Sequence, residues 1–299
     1  MMFKKVLTCE TSGTISTQSK FAYGCWEFDV NKGADINNLI ASFAIDSTSR
    51  SNDNGYDFVI LADESLTLRS RTNGSSGALF VTDTSYIDNN TWYRLKVARL
   101  ASEGVFKDIP TLHTETFKND DTGANPYTTF TAIGTNGFSA SGPRNACCGT
   151  DRISITVGEK YLVEFDAKIN SGVFDLMFRS SIGFTPGRSN EEFGYEGHNK
   201  IVLTVISNDA DAAIVFHADN GSADFEITNF KLSKVYDKDT FACFIKGGDF
   251  GRDNWTLIEA DSGDNPVVDS TYDTSKYITL DLDAGDKITN IKHKKQVEQ

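Results

Sequence analysis

Phe21-Ala-Tyr-Gly-Cys-Trp-Glu-Phe-Asp-Val30 decides the fold class. Tyr23, Cys25 and Glu27 alternate with Trp26, Phe28 and Val30, and an extended strand turns that period of two into one apolar face and one mixed face. Working outward, Leu39-Ile-Ala-Ser-Phe-Ala-Ile45 and Tyr56-Asp-Phe-Val-Ile-Leu61 follow, separated by the turn signal Asn52-Asp-Asn-Gly55. Leu66-Thr-Leu-Arg69 and Ala78-Leu-Phe-Val81 flank the Asn73-Gly74 turn. Trp92-Tyr-Arg-Leu-Lys-Val97 sets Trp92, Arg94 and Lys96 opposite Tyr93, Leu95 and Val97. Nowhere do apolar residues recur at about 3.6 over three turns, so no long helix is expected.

The chain has 299 residues, room for roughly two domains of about 100–200 residues each. After Lys107-Asp-Ile-Pro110 the texture changes to a stretch rich in Gly, Asn and Ser that runs to Cys148. Strand patterns then recur at Asp151–Val157, Tyr161–Ala167, Val173–Phe178, Ile201–Val205, Ala213–His217 and Asp224–Thr228, as in a β-sandwich. From Phe241-Ala-Cys-Phe-Ile-Lys246 the first pattern resumes, through Trp255–Ile258, Tyr277–Leu282 and Lys287–Lys292. A jelly roll made of the first block alone would leave unpaired edges. The sequence therefore predicts an all-β protein with a discontinuous jelly-roll β-sandwich, residues 1–106 plus 240–299. A second β-sandwich, residues 107–239, is inserted at a hairpin tip, where added length is tolerated best.

Hydrophobic residues make up 39 % and charged residues 24 % of the chain, the balance of a globular protein. A formal net charge of −13 opposes phosphate backbones, so nucleic acid is not an expected partner. Cys9, Cys25, Cys147, Cys148 and Cys243 are odd in number and irregular in spacing, which predicts free thiols rather than a disulfide framework. No C-x-x-C pair offers a zinc ribbon. Met1–Cys9 lacks the apolar run of a signal peptide and no stretch reaches membrane-helix length, so membrane insertion is not expected; assembly in a bacterial cytoplasm fits this pattern, and a secreted protein would need a signal since removed.

Ser19–Val30, Asn89-Asn-Thr-Trp-Tyr-Arg-Leu-Lys96, Phe244-Ile-Lys-Gly-Gly-Asp-Phe-Gly251 and Leu280-Asp-Leu-Asp-Ala-Gly-Asp286 resemble a concanavalin/laminin-G-like lectin domain. That domain is found in virion and tail proteins of crAss-like and related Bacteroidetes phages. In the family the strand after Thr-Trp-Tyr-Arg runs through a hairpin into Ile-Lys-Gly-Gly, whereas here Phe106 and Phe244 are far apart in sequence. The middle block, through Val157–Lys168 and Phe225–Leu232, resembles a family 4/9/22-type carbohydrate-binding module. The resemblance implies a non-enzymatic structural protein of a phage particle, tail- or fibre-associated or decorating the capsid. Other virion proteins and further copies of itself are the implied partners, and a polysaccharide the implied ligand. A stand-alone carbohydrate-binding protein of a gut bacterium is the alternative, and a glycoside hydrolase or lyase the third reading.

Glu27 and Asp29, two apart on a strand, project together as in lectin-like glycosidases, but Asn31 and Lys32 stand where a further carboxylate would be needed. A solvated or hydrogen-bonded strand face is the other reading. Gly137-Phe-Ser-Ala-Ser-Gly142 has the wrong spacing for a nucleophile elbow, and His113, His198, His217 and His293 are scattered. His217 continues an apolar strand and reads as a satisfied sandwich residue. Asp53, Asp219, Asp283 and Asp286 sit near Gly turns and could supply oxygen to a structural Ca²⁺, the one cofactor the pattern allows, or serve only as hairpin turns. For glycan binding the richest stretch is Arg179 to His198, read as a Gly-punctuated exposed loop. Phe184, Phe193 and Tyr195 offer rings to a pyranose, and Arg179, Arg188, Asn190 and His198 offer polar groups to its hydroxyls. The same rings could instead anchor the loop onto its own sandwich or a neighbouring subunit.

Overall fold

The computed structural model describes residues 7–8, 10, 12–19, 22–34, 37–45, 54–113, 117–120, 125–182, 186–261 and 276–294. Its elements are antiparallel strands, with a single 3-10 turn at Gly248–Phe250 and no α-helix among the described residues. None of these residues forms a helix long and apolar enough to cross a membrane. The described chain divides into two compact units, one made of the residues up to Asp108 and from Asp237 onward, the other of Ile109–Tyr236.

The first unit begins with β1 (Leu7–Thr8), β2 (Gly13–Ser19), β3 (Gly24–Asn31), β4 (Leu39–Ile45), β5 (Gly55–Ile60), β6 (Leu66–Thr72), β7 (Ser75–Val81) and β8 (Tyr93–Arg99). The second unit holds β9 (Lys118–Asn119), β10 (Thr129–Ala132), β11 (Phe138–Gly142), β12 (Cys147–Gly149), β13 (Ile153–Ile155) and β14 (Lys160–Ser171). It continues with β15 (Phe174–Arg179), β16 (Glu192–Phe193), β17 (Gly197–Thr204), β18 (Asp209–Ala218) and β19 (Ala223–Val235). The chain then returns to the first unit with β20 (Phe241–Gly247), β21 (Thr256–Asp261), β22 (Lys276–Leu282) and β23 (Lys287–Lys294).

In the first unit the sheets run β1-β23-β3-β8-β20-β21 and β2-β22-β4-β5-β6-β7, so the last strands complete both layers. Alternation in β3 does what its sequence dictates: Trp26, Phe28 and Val30 are buried while Cys25, Glu27 and Asp29 are half-buried. Trp26 meets Phe43 of the facing sheet at 4.7 Å between ring centroids, joining the layers in a sandwich core. Asn73 and Gly74, with φ of 49° and 76°, make the two-residue turn between β6 and β7 that strand twist favours. Lys96, on the strand face opposite Tyr93, Leu95 and Val97, is buried. Its ammonium lies 4.1 Å from the Trp255 ring and 4.4 Å from that of Phe244, and it pairs with Asp108 at 2.5 Å, which buries it.

The whole second unit lies in the connection between two paired neighbours. β8 and β20 are antiparallel with Arg99 opposite Phe241. Leu100 N donates to Thr240 O and Asp239 N to Leu100 O, each at 3.0 Å, so the two chain ends are hydrogen-bonded where the insertion departs and returns.

The second unit is a sandwich of β10-β11-β19-β14-β17 on β16-β15-β18-β12-β9, with β13 also paired to β18. Phe138, Phe165, Phe174, Phe216 and Phe225 fill its core. Burying each such ring contributes about 1.5–3 kcal/mol. Phe174 stacks on Phe225 at 4.3 Å, and Phe138 meets Phe216 edge-on at 5.1 Å.

Candidate functional site

The outer face of the second unit's β16-β15-β18-β12-β9 sheet gathers most of its unusual chemistry. In β15, Phe174, Leu176 and Phe178 enter the core, so period two turns Asp175, Met177 and Arg179 outward. In β18, Ala212, Ile214 and Phe216 enter the core, and Ala213, Val215 and His217 take the other face. Antiparallel register aligns Cys147, His217, Asp175 and Phe193 as one row across four strands. Asp219 lies two residues beyond His217 and joins it.

His217 Nδ1 lies 2.9 Å from Asp175 Oδ2, in hydrogen-bond contact. Asp175, His217 and Asp219 each offer one donor atom, and the three atoms lie within 4.8 Å of one another. Asp175 and His217 are buried, while Asp219 is half-buried. Glu191 stands in the same field. Burial first, then the negative charges of Asp175 and Asp219, pushes its carboxyl above the usual range. Burial also drives the Cys147 thiol up to about 12, against the opposing pull of Arg179, whose Nη1 lies 3.9 Å from the sulfur. A thiol so protonated is no nucleophile near neutral pH. Ile182 packs on Cys147, Ala213 and Val215, closing the apolar part of the face.

The Arg179–His198 stretch is not one exposed loop. Arg179 ends β15 with only 4 % of its surface exposed, so it cannot reach out to a ligand as the loop reading expected. Arg188 Nε donates to Ser180 Oγ at 2.8 Å and Asp209 Oδ2 at 2.9 Å. Asn190 accepts from Thr204 N at 2.6 Å and donates to Glu192 at 2.7 Å. These two side chains pin the segment down. Phe193, 40 % exposed, and Tyr195, 68 % exposed, are the rings left at the surface. Asn199 holds the turn beneath Tyr195, accepting from its N–H at 2.9 Å and donating to its carbonyl at 2.7 Å. His198 belongs to the other sheet, opposite Asp166 and 2.7 Å from its Oδ1. Phe184 lies outside the described residues.

Of the four calcium candidates, Asp53 also lies outside the described residues. Asp283 and Asp286 close a turn instead. Asp286 accepts from Gly33 N at 2.9 Å and Asp283 N at 3.0 Å, and Asp283 accepts from Ser12 at 2.5 Å. Asp219 is the one that the fold brings to other donors. In the first unit Asp29 is gripped by the Arg94 fork, with Nη2 to Oδ2 at 2.9 Å, and by Asn290, so its carboxylate serves the strand face. Sequence reasoning passed over Asp175, whereas Cys147, weighed there as a reactive thiol against a buried inert one, is buried. The available signal for Asp175 was a lone carboxylate between the apolar Phe174 and Leu176.

No family model and no curated protein matches this chain. Among solved structures, the secreted serine protease VesC from Vibrio cholerae is matched at TM-score 0.24 and 9 % identity over 74 % of this chain, which spans 50 % of that one. A structure of infectious bursal disease virus, Gx strain, is matched at TM-score 0.17 and 7 % identity, over 95 % of this chain and 68 % of that one. At such scores neither likeness bears on fold or function.

Proposed function

We propose that the protein is a glycan-adhesion subunit of a tailed-phage particle, binding polysaccharide at the edge of the second unit around Phe193 and Tyr195. The observation that carries this reading is Phe193 itself. It is exposed at the sheet edge yet in register with the buried polar Asp175. A ring so placed can stack on the C–H face of a pyranose, while Glu191, Glu192 and nearby backbone groups meet its hydroxyls. The pinning of Arg188, Asn190 and Asn199 supports it by holding the two rings without ligand, which lowers the ordering entropy of binding. The reading is one of binding, not catalysis, in keeping with the grip of Arg94 on Asp29 and the protonated Cys147 thiol. Assignment to a phage particle rests on the lectin-like segments at both ends of the chain.

A glycan array probed with the full chain tests the binding, and antibody labelling of purified particles tests the location. Retention on bacterial surface or mucin-type glycans, lost in Phe193→Ala/Tyr195→Ala, is the expected outcome. A silent array, or binding that survives both substitutions, would overturn the assignment of the site. Unlabelled particles would move the protein to the stand-alone reading.

A further inference from the structure

We infer that Asp175, His217 and Asp219 form a binding site for a divalent transition-metal ion of the zinc class. The site follows from strand register. Asp175 and His217 face each other directly across β15 and β18, and Asp219, two residues on, returns to the same face just past the end of β18. The three donor atoms converge within 4.8 Å. The 2.9 Å between His217 Nδ1 and Asp175 Oδ2 is a hydrogen-bond length. In a tetrahedral site with bonds of about 2.0–2.1 Å neighbouring ligands stand about 3.3–3.4 Å apart, so the pair has to open by only about 0.4–0.5 Å to admit an ion. A metal ion can therefore take the place of the shared proton with small side-chain adjustment.

A second, independent observation points to a ligand. The Asp175 side chain is 1 % exposed. Its Oδ1 accepts no hydrogen bond, although the other oxygen of the same carboxylate contacts His217. A buried carboxylate oxygen without a partner is strongly unfavourable, and a cation is the partner that satisfies it best. Among the described residues no Lys or Arg forms an ion pair with Asp175 or Asp219. Arg144 reaches only the Asp219 carbonyl, at 3.0 Å. Glu191 lies in the same field: burial first, then the charges of Asp175 and Asp219, raise its carboxyl against the opposing pull of Arg179 and His217.

The donor set selects the metal. An imidazole nitrogen with two carboxylates suits zinc and its neighbours. Calcium takes 6–8 oxygen ligands and gains little from nitrogen. The inference stands apart from the glycan reading, because metal binding is measured with no glycan present.

The test is a titration of chelator-stripped full-length protein with zinc against a chromophoric indicator, with metal content per chain measured after dialysis. One zinc per chain is expected. His217→Gln and Asp219→Asn should each weaken binding by more than about 100-fold, beyond the effect of losing an outer-sphere partner. Near-UV circular dichroism reports whether each variant is folded. Should His217→Gln misfold, Asp219→Asn alone decides, since that residue is half-buried in a turn and outside the core. Failure of the stripped protein to take up zinc would overturn the proposal. So would unchanged affinity in folded Asp219→Asn, or a preference for calcium over zinc.

Discussion

Replacing Arg99 with methionine cuts the clasp at the point where the chain leaves the first unit and re-enters it. Its side chain is fully buried and donates from Nη2 to Asp239 Oδ1 at 2.8 Å and from Nη1 to Ala22 O at 3.0 Å. The guanidinium also lies over the rings of Tyr23 at 4.4 Å, Tyr56 at 5.2 Å and Phe241 at 5.5 Å. Methionine keeps much of the apolar stem but leaves the Asp239 carboxylate without this cation. Removing one member of a buried pair costs about 3–5 kcal/mol. Asp239 keeps 17 % exposure, so water screens part of the loss and the lower bound, about 3 kcal/mol, applies. For a unit of this size about 1 kcal/mol lowers the midpoint by roughly 2–4 °C, giving a fall of about 6–12 °C. Scanning calorimetry of the full chain reads it directly. Arg99→Lys, which keeps the charge but not the fork, should fall between wild type and Arg99→Met. A midpoint for Arg99→Met within about 2 °C of wild type would refute the reasoning, because no buried clasp could then exist there.

Three further outcomes follow from the second unit and its thiols. A Cβ at position 194 would lie 2.1 Å from the Phe174 ring, so Gly194→Ala should destabilise by about 1–3 kcal/mol in chemical denaturation and displace the adjacent Phe193; an unchanged midpoint would contradict the packing. Burial raises the Cys147, Cys148 and Cys243 thiols, so at about pH 8 a disulfide reagent should leave all three unlabelled until the protein is denatured, as peptide mass spectrometry would show. Glu159 is half-enclosed, which alone would raise its carboxyl, but Lys234 at 2.6 Å, Thr156 N at 2.8 Å and Tyr161 at 2.8 Å more than offset this and hold it below 4.5. Its folded value is depressed, so the stability it contributes is present above the unfolded value and lost as pH falls through the folded one. Glu159→Gln should accordingly flatten the acid limb of thermal stability against pH; an unaltered limb would contradict this linkage.

The strands most legible in the sequence are those with bulky alternation. Gly24–Asn31 buries Trp26, Phe28 and Val30 as their spacing predicts, and the all-β character follows from many such segments. Phe138–Gly142 and Cys147–Gly149 escaped notice because Ser, Ala, Gly and Cys carry little strand signal of their own. Their smallness is nonetheless required. A Cβ on Gly142 would meet Tyr127 at 2.9 Å, and one on Gly149 would meet Ile214 O at 2.6 Å. Lys96 is buried by Phe244 and Trp255, contacts that no local pattern announces. The site was legible only in part. Composition singled out Arg179–His198, but pairing divides it, sending Arg179 and Phe193 to one sheet and His198 to the other. Asp175 and His217, 42 residues apart in sequence, meet through register alone.

Tyr195, the most exposed ring beside the row, is the most direct probe of glycan binding. Titration calorimetry of a glycan retained on the array, with wild type, Tyr195→Ala and the first-unit control Val81→Ala, isolates its contribution. Tyr195→Ala should lose about 2 kcal/mol, roughly 30-fold in affinity. Val81→Ala, also at an exposed apolar position, should bind as wild type does. Equal affinities for wild type and Tyr195→Ala, or a loss confined to Val81→Ala, would contradict the placement of glycan binding on the second unit.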